Sequence, residues 1–295
     1  GLVRYSLDEV SRYEGLGGKI ERKGSVADLS KSELRDYNIR DVELLIEINK
    51  RYGFVEKDLY LAREVSVPLQ YHKANFLGDI LILRRLRELG YVAPNSVRGV
   101  KKGYEGAMIL EPKAGLHERV AYCDVVSLYP TAVICENVDI AGFSGEVVPY
   151  LVAYFFKRKE EESEKGNKVG RDAYKTLANS LYGLFGYQYF RFFDENNALK
   201  VTETGRKVLN KMIDAVRSLG LEVLYADTDS VFIKMDGIED VSPVVDYIND
   251  VIHPYKVKFE GIFDKIVFYG REGGGVKKRY IGKMGDKWVF RGVEI

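Results

Sequence analysis

The decapeptide YADTDSVFIK, residues 225–234, sets Asp227 and Asp229 two positions apart inside an alternating apolar run. A strand turns residues i and i+2 to one face, and a tight turn keeps them neighbours even when they straddle it. Carboxylates that close repel each other unless amide donors or a cation stand between them. Any fold of this chain must therefore bring one or the other to this point. An Asx-type hairpin turn supplies local amides. A metal-holding D-x-D, of the kind seen in glycosyltransferases, supplies the cation. An EF-hand loop is excluded, because no D-x-D-x-D-G series follows.

A third carboxylate narrows the choice. Asp124 interrupts the apolar run of YCDVVSLYPT, where packing gives no reason for a charge; a charged edge strand is the plainer explanation. Asp124 with Asp227 and Asp229 would form a hard oxygen cage suited to Mg²⁺ and a phosphate ligand. In KTLANSLYG, residues 175–183, Lys175, Asn179 and Tyr182 fall at helical spacing on one face. That face reads as a solvated stripe, or as an amine, an amide and a phenol placed against a nucleotide. Lys157, Arg158 and Lys159 stand on the preceding helical stretch beside Glu160, Glu161 and Glu162, so a solvated face competes with an anion site there too.

Composition adds limits. Lys and Arg total 45 against 44 acidic residues, so any basic surface is local, and it is concentrated from Arg271 to Arg291. Cys123 and Cys135 lack metal-ligand spacing and read as reduced core thiols of a cytoplasmic protein. His72, His117 and His253 do not cluster, which argues against a zinc or histidine-based site. The 12% aromatic content reads as core rather than as a platform for single strands. No apolar stretch approaches the roughly 18 residues of a membrane span, and no membrane partner is expected.

Periodicity divides the chain. Residues 1–66 read as helical, with Ser30 as a cap and Gly53 as a stop; residues 67–114 hold a helix ending at Gly90 and a Pro/Gly/basic linker. A β-rich run from Gly115 to Pro130 follows, then helices over 148–164 and 171–184 around the turn KGNKVG. TETGRKVLNKMIDAVRSLG reads as an amphipathic helix stopped by Gly220. Two strands around the DTD turn, a helix at 244–252, a strand and a hairpin complete the chain.

Three motifs in this order resemble the family B DNA polymerases of archaeal type. DVVSLYP (124–130) looks like the first palm motif, KTLANSLYG like the fingers motif, and YADTDS (225–230) like the second palm motif. KKRY (277–280) is similar to the primer-holding strand, and YEGA (104–107) to the template-contact loop. The resemblance implies two Mg²⁺ ions, replaceable by Mn²⁺, held by Asp124 and Asp229, with the Val125 main chain assisting and Asp227 and Glu260 nearby. It assigns nucleotide binding to Ser127, Leu128, Tyr129, Arg158, Lys175 and Asn179, with Tyr129 as the gate against ribose. DNA contacts fall to Tyr104, Gly106, Tyr182, Gly183, Lys277, Lys278, Arg279 and Tyr280. Tyr37 and Asp41 in YNIRD look like a remnant of the third exonuclease motif.

The expected architecture is α+β: an antiparallel palm sheet with helices (115–147 and 187–295), a helical-hairpin fingers domain (148–186), a connector (67–114), and an exonuclease-domain piece (1–66). Expected substrates are primer-template DNA and deoxynucleoside triphosphates, in the cytoplasm or nucleoid, or in the nucleus of a eukaryote. The chain departs from the family in carrying Glu162 where a basic residue often stands one turn after the Arg. It also shows no thumb after RGVEI, so a fragment, or a subunit completed by a second polymerase chain, is expected. Two readings follow: a catalytic module for templated nucleotidyl transfer, or a DNA-binding portion with little chemistry of its own.

Overall fold

Alternating apolar residues make β2 (Gly115–Val125) the strand around which the sheet is built. The structure, a computed structural model, describes residues 5–22, 24–71, 73–272 and 274–293. Its other strands are β1 (Ile109–Leu110), β3 (Val223–Asp227), β4 (Ser230–Lys234), β5 (Val257–Arg271), β6 (Gly274–Met284) and β7 (Lys287–Arg291). Among the described residues these form one antiparallel sheet in the order β1-β3-β4-β2-β5-β6-β7. The β3–β4 hairpin thus lies directly beside β2, although about a hundred residues separate them in the chain.

The two faces of the sheet differ in what covers them. Ala121, Cys123, Val125, Ala226, Val231 and Ile233 point into the larger core, against helices α8 (Glu195–Ser218) and α9 (Ser242–Ile252). On the other face Tyr225, Phe232, Phe263, Phe268 and Tyr280 form a separate aromatic cluster. The large core continues through α5 (Leu128–Cys135) to a helical hairpin, α6 (Val148–Glu164) and α7 (Lys168–Phe185). Two preceding helices, α3 (Phe54–Glu64) and α4 (Ala74–Glu88), pack on α7. Helices α1 (Leu7–Tyr13) and α2 (Lys31–Tyr52) pair with each other at the N-terminal end. This mixture of helices and antiparallel sheet is the α+β class expected, and among the described residues no helix is long and apolar enough to cross a membrane.

Local signals held where side-chain chemistry dictates a boundary. Ser30 and Glu33 form a reciprocal capping box, and Gly53 closes α2 in the left-handed region at φ 63°. Elsewhere the expectations need correction. The β-rich run stops at Val125, and Pro130 lies in the first turn of α5, where its missing N–H costs nothing. Helix α8 starts at Glu195, capped by Asp194, ahead of the TETGR segment. Cys123 is buried, but Cys135, at the end of α5, is exposed. His72 lies outside the described residues; His117 bonds the Lys113 carbonyl and His253 follows α9.

The start of the hairpin depends on one buried carboxylate. Asp139 is 7% exposed and accepts the N–H groups of Ile140, Val147 and Val148 at 2.9–3.0 Å, which ties the end of the α5 segment to the first turn of α6. Replacing it by Ala leaves three buried donors unpaired. We expect Asp139→Ala to lower the unfolding free energy by about 3 kcal/mol, read as a shift in the urea midpoint at unchanged slope.

Candidate functional site

Register sets the carboxylates. Asp124 pairs with Ser230 across β2 and β4, and Ser230 pairs with Asp227 across β4 and β3. The three residues make one row across three strands, which places the two aspartate Cα atoms about 10 Å apart at normal strand spacing. Ser230, between them, is small and turns its hydroxyl back to the Asp227 carbonyl at 3.1 Å. The next row is aromatic: Tyr122, Phe232 and Tyr225. Thr228, left-handed at φ 59°, and Asp229 form the hairpin turn, so the two aspartates of DTD straddle the bend. The Val125 N–H donates to the Asp229 carbonyl at 2.7 Å, locking the turn onto the end of β2. These residues line a cleft of about 420 Å³ together with Lys278, Tyr280 and Arg291.

The carboxylates are compensated unequally. Asp227 accepts from Tyr225 on Oδ2 at 3.1 Å and from Thr228 on Oδ1 at 3.0 Å, and Lys278 Nζ lies 3.5 Å from that same Oδ1. Asp124 accepts from Tyr122 Oη at 3.2 Å. Burial raises the carboxyl of Asp124, Tyr122 opposes this, and Glu260 adds to it. Burial and then the Asp124 charge push the carboxyl of Asp229 up to about 6. Asp124 and Asp229 are therefore raised by burial, with Lys175, Lys258 and Lys278 offsetting only part of it, and they offer hard oxygen donors, which is the donor chemistry a divalent cation needs. Among the described residues, however, no three His, Cys, Asp or Glu side chains stand close enough together to enclose a metal ion.

Two irregularities of the sheet place residues that strand periodicity alone misplaces. Opposite β2, Cys123 pairs with Phe259 and Tyr122 with Gly261, so Glu260 is the extra residue of a bulge. Its carboxylate is thereby close enough to raise Asp124, while it pairs with Lys258 at 3.1 Å. Between β5 and β6 the pairing skips from Phe268–Tyr280 to Gly270–Gly275. Lys277, Lys278 and Arg279 bulge out of the strand and are exposed, with Lys278 at φ 62°, while Tyr280 returns to the aromatic cluster. The Lys278 N–H donates to Tyr225 Oη at 3.0 Å, which fixes that hydroxyl so that it donates to Asp227.

The helices bring up the remaining residues. Ser127 adopts a left-handed conformation at φ 54°, Leu128 is buried and offers only its main chain, and Tyr129 packs against Tyr182 with ring centres 4.6 Å apart and planes tilted by 34°. Gly205 on α8 leaves room for that ring, since a Cβ there would lie 3.0 Å from Tyr129 Cε1. Tyr182 in turn meets Tyr104. The loop carrying Tyr104 and Gly106 is held by Arg206, which donates to the carbonyls of Glu105 and Gly106, and by Thr202. Lys175, Asn179 and Gly183 are exposed along α7. Lys175 is near enough to lower Asp124, and it shares its surroundings with Lys159 and Arg171.

Arg158 is turned elsewhere. It bonds Tyr174 at 2.9 Å and Glu161 at 2.6 Å, with Glu64 of α3 at 3.9 Å. Glu162 is buried at the tip of the hairpin, bonded by Asn167 and Lys165. At the N-terminal end, Asp41 pairs with Lys19 at 2.7 Å, and the same ammonium lies 4.9 Å from the centre of the Tyr37 ring. A lysine thus stands where the remnant motif would call for a metal. Lys19, Arg206, Ser230, Tyr122 and Tyr225 were not singled out from the sequence. Only the two tyrosines carry a signal there, each lying two residues before an aspartate on the same strand face.

The family model described as DNA polymerase family B matches residues 68–144 and 158–295. The DNA polymerase 2 of Aeropyrum pernix is 30% identical over 95% of this chain and 40% of its own length. The DNA polymerase of Archaeoglobus fulgidus is 27% identical over 99% of this chain and 42% of its own. DNA polymerase II of Escherichia coli is 26% identical over 90% of this chain. The fold is similar to that of the family B DNA polymerase from Pyrobaculum calidifontis, with a TM-score of 0.70 and 23% identity, over 98% of this chain and 43% of that one. The chain spans about two-fifths of the length of the curated relatives it matches.

The raised carboxyl of Asp229 has a consequence for stability. A folded-state value near 6, above the ordinary 3.8, means that ionisation opposes folding as pH rises from about 4 to about 6, and the full cost persists above that. Asp229→Asn removes the cost. In EDTA the variant should be more stable than the parent by on the order of 2 kcal/mol at pH 8, with the difference vanishing towards pH 4. Denaturant titrations at the two pH values measure it.

Proposed function

This chain belongs to DNA polymerase family B, and from that premise we propose that it is the nucleotidyl-transfer portion of a DNA-templated DNA polymerase. The observation that carries the reading is the row Asp124–Ser230–Asp227 with Asp229 at its end: four oxygen-bearing side chains on the open face of a sheet, two of them, Asp124 and Asp229, carboxyls that burial raises more than the nearby lysines lower. Asp124 and Asp229, with the Val125 main chain, would hold Mg²⁺ or Mn²⁺, with Asp227 and Glu260 standing by. When bound, such an ion supplies charge neutralisation and Lewis acidity at phosphate oxygens.

The chain's own residues supply the positioning. Lys175, on the α7 face nearest Asp124, brings positive charge to a triphosphate, and Asn179 follows one turn on. Tyr129, wedged between Gly205 and Tyr182, forms a wall against which a deoxyribose fits and a ribose does not. Lys278, Lys277 and Arg279 bulge outward to meet phosphates and the groove of a primer duplex. Binding through these cations is insensitive to sequence and weakens with salt. In this reading residues 115–147 and 187–295 are the palm, 148–186 the fingers, 67–114 the connector with its template-contact loop, and 1–66 the exonuclease-domain piece.

A second reading, that the chain binds DNA but needs a partner chain or further segment for chemistry, is favoured by one observation. Arg158 is already occupied by Glu161, Glu64 and Tyr174, and Arg171 by Asp172, which leaves triphosphate binding to Lys175 and Lys159. Primer extension separates the two readings. The catalytic reading expects Mg²⁺-dependent extension that falls by about 10³-fold in Asp124→Ala and in Asp229→Ala. Salt-sensitive duplex binding without extension would instead select the second. Under the catalytic reading, Tyr129→Ala should raise ribonucleotide incorporation relative to deoxyribonucleotide by about 10²-fold or more, measured as the ratio of the two kcat/KM values.

A further inference from the structure

Two tripeptides of this chain repeat one pattern. Tyr122-Cys123-Asp124 lies near the end of β2 and Tyr225-Ala226-Asp227 at the end of β3, so each strand turns a phenol and a carboxylate to the same face. Each hydroxyl donates to the aspartate of its own strand, Tyr122 Oη to Asp124 Oδ2 at 3.2 Å and Tyr225 Oη to Asp227 Oδ2 at 3.1 Å. The strand between them, β4, sets Phe232 between the tyrosines and Ser230 between the aspartates.

The two pairs differ in how much depends on the phenol. Asp227 also accepts from Thr228 and pairs with Lys278. Among the described residues no side chain other than Tyr122 donates a hydrogen bond to Asp124. Lys258 stands opposite Asp124 in the β2–β5 ladder, but its ammonium goes to Glu260 at 3.1 Å. A carboxylate turns about its last torsion in broad, two-fold wells. A single donor therefore decides which oxygen of Asp124 faces the cleft.

The donor itself is held by the core. Tyr122 is half-buried, with its ring centre 4.9 Å from that of Phe232 and 6.3 Å from that of Phe263. Across the β5 bulge it pairs with Gly261, at φ 148°, where a Cβ would lie 2.5 Å from Met284 Sδ. These contacts fix the ring independently of Asp124 and would persist for a phenylalanine, so the hydroxyl is a fixed reference against which the carboxylate is set.

We propose that Tyr122 is a positioning residue: its hydroxyl holds Oδ2 of Asp124 and leaves Oδ1 presented to a divalent cation at the cleft. The role rests on the reading of Asp124 as a metal ligand given above. Carboxylates that hold metals are themselves commonly hydrogen-bonded, and losing such a partner weakens metal binding or activity by roughly 10–100-fold.

Manganese binding, followed by the EPR signal of free Mn²⁺ with the full chain and no DNA, tests this without turnover. The parent should show a site that is lost in Asp124→Asn. Tyr122→Phe should weaken that site about tenfold, whereas Tyr225→Phe, which deletes the matching hydroxyl of the same aromatic cluster, should leave it close to the parent's. A single urea transition with the parent's slope establishes that each variant is folded. In primer extension, Tyr122→Phe should raise the Mg²⁺ concentration for half-maximal rate by a similar factor and leave the KM for primer-template unchanged.

Tyr122→Phe that binds Mn²⁺ as tightly as the parent, or Tyr225→Phe that weakens binding as much as Tyr122→Phe, would overturn the proposal even if extension succeeds. A parent with no Asp124-dependent Mn²⁺ site would overturn it together with the metal reading. Mn²⁺ binding that depends on the Tyr122 hydroxyl, without extension, would leave the positioning role standing and count only against the catalytic reading.

Discussion

Repulsion between Asp124 and Asp229 is the constraint around which this structure is organised. Both carboxylates sit where strands end on the open face of the sheet, partly withdrawn from water, and the Asp124 charge raises the cost of ionising Asp229. A site of this kind is unfavourable for the isolated chain and persists only because the opposite face over-determines it. Ala121, Cys123 and Val125 alternate with the polar residues of β2 and are buried against helices, so Asp124 cannot turn away without moving apolar side chains into water. Stability lent by the core is spent on a strained electrostatic arrangement, the usual relation between a scaffold and a site.

The same constraint explains why the three aspartates are not equivalent. Asp227 is discharged by Lys278 and by two hydroxyls, so it serves to dock the β6 bulge onto the hairpin. That contact crosses from one side of the cleft to the other and joins the carboxylate row to the most basic stretch of the chain. Arg158 shows the contrary use of a cation. Enclosed by Glu161, Glu64 and Tyr174, it ties α3 to the α6–α7 hairpin, and its charge is not offered to the cleft.

Much of the fold was legible in the residues because their chemistry acts locally. Ser30 with Glu33 marks the start of α2, and the alternation of β2, β3 and β4 marks which face is apolar. What was not legible depends on register. Glu260 reaches Asp124 only because β5 carries one residue more than β2 at that point, and Lys277 to Arg279 are exposed only because β6 leaves its ladder there. The pairing of Lys19 with Asp41 likewise joins residues that no periodicity relates.

By itself the sequence determined that three carboxylates would terminate apolar strands and that Lys175, Asn179 and Tyr182 would share a helical face, because period and side-chain chemistry act within a few residues. Which carboxylates are compensated least, which cations remain free, and which rings hold Tyr122 in place were decided only by the tertiary structure. Those outcomes depend on distances between segments about a hundred residues apart in the chain, and electrostatic energy is set by distance and burial rather than by order along a chain.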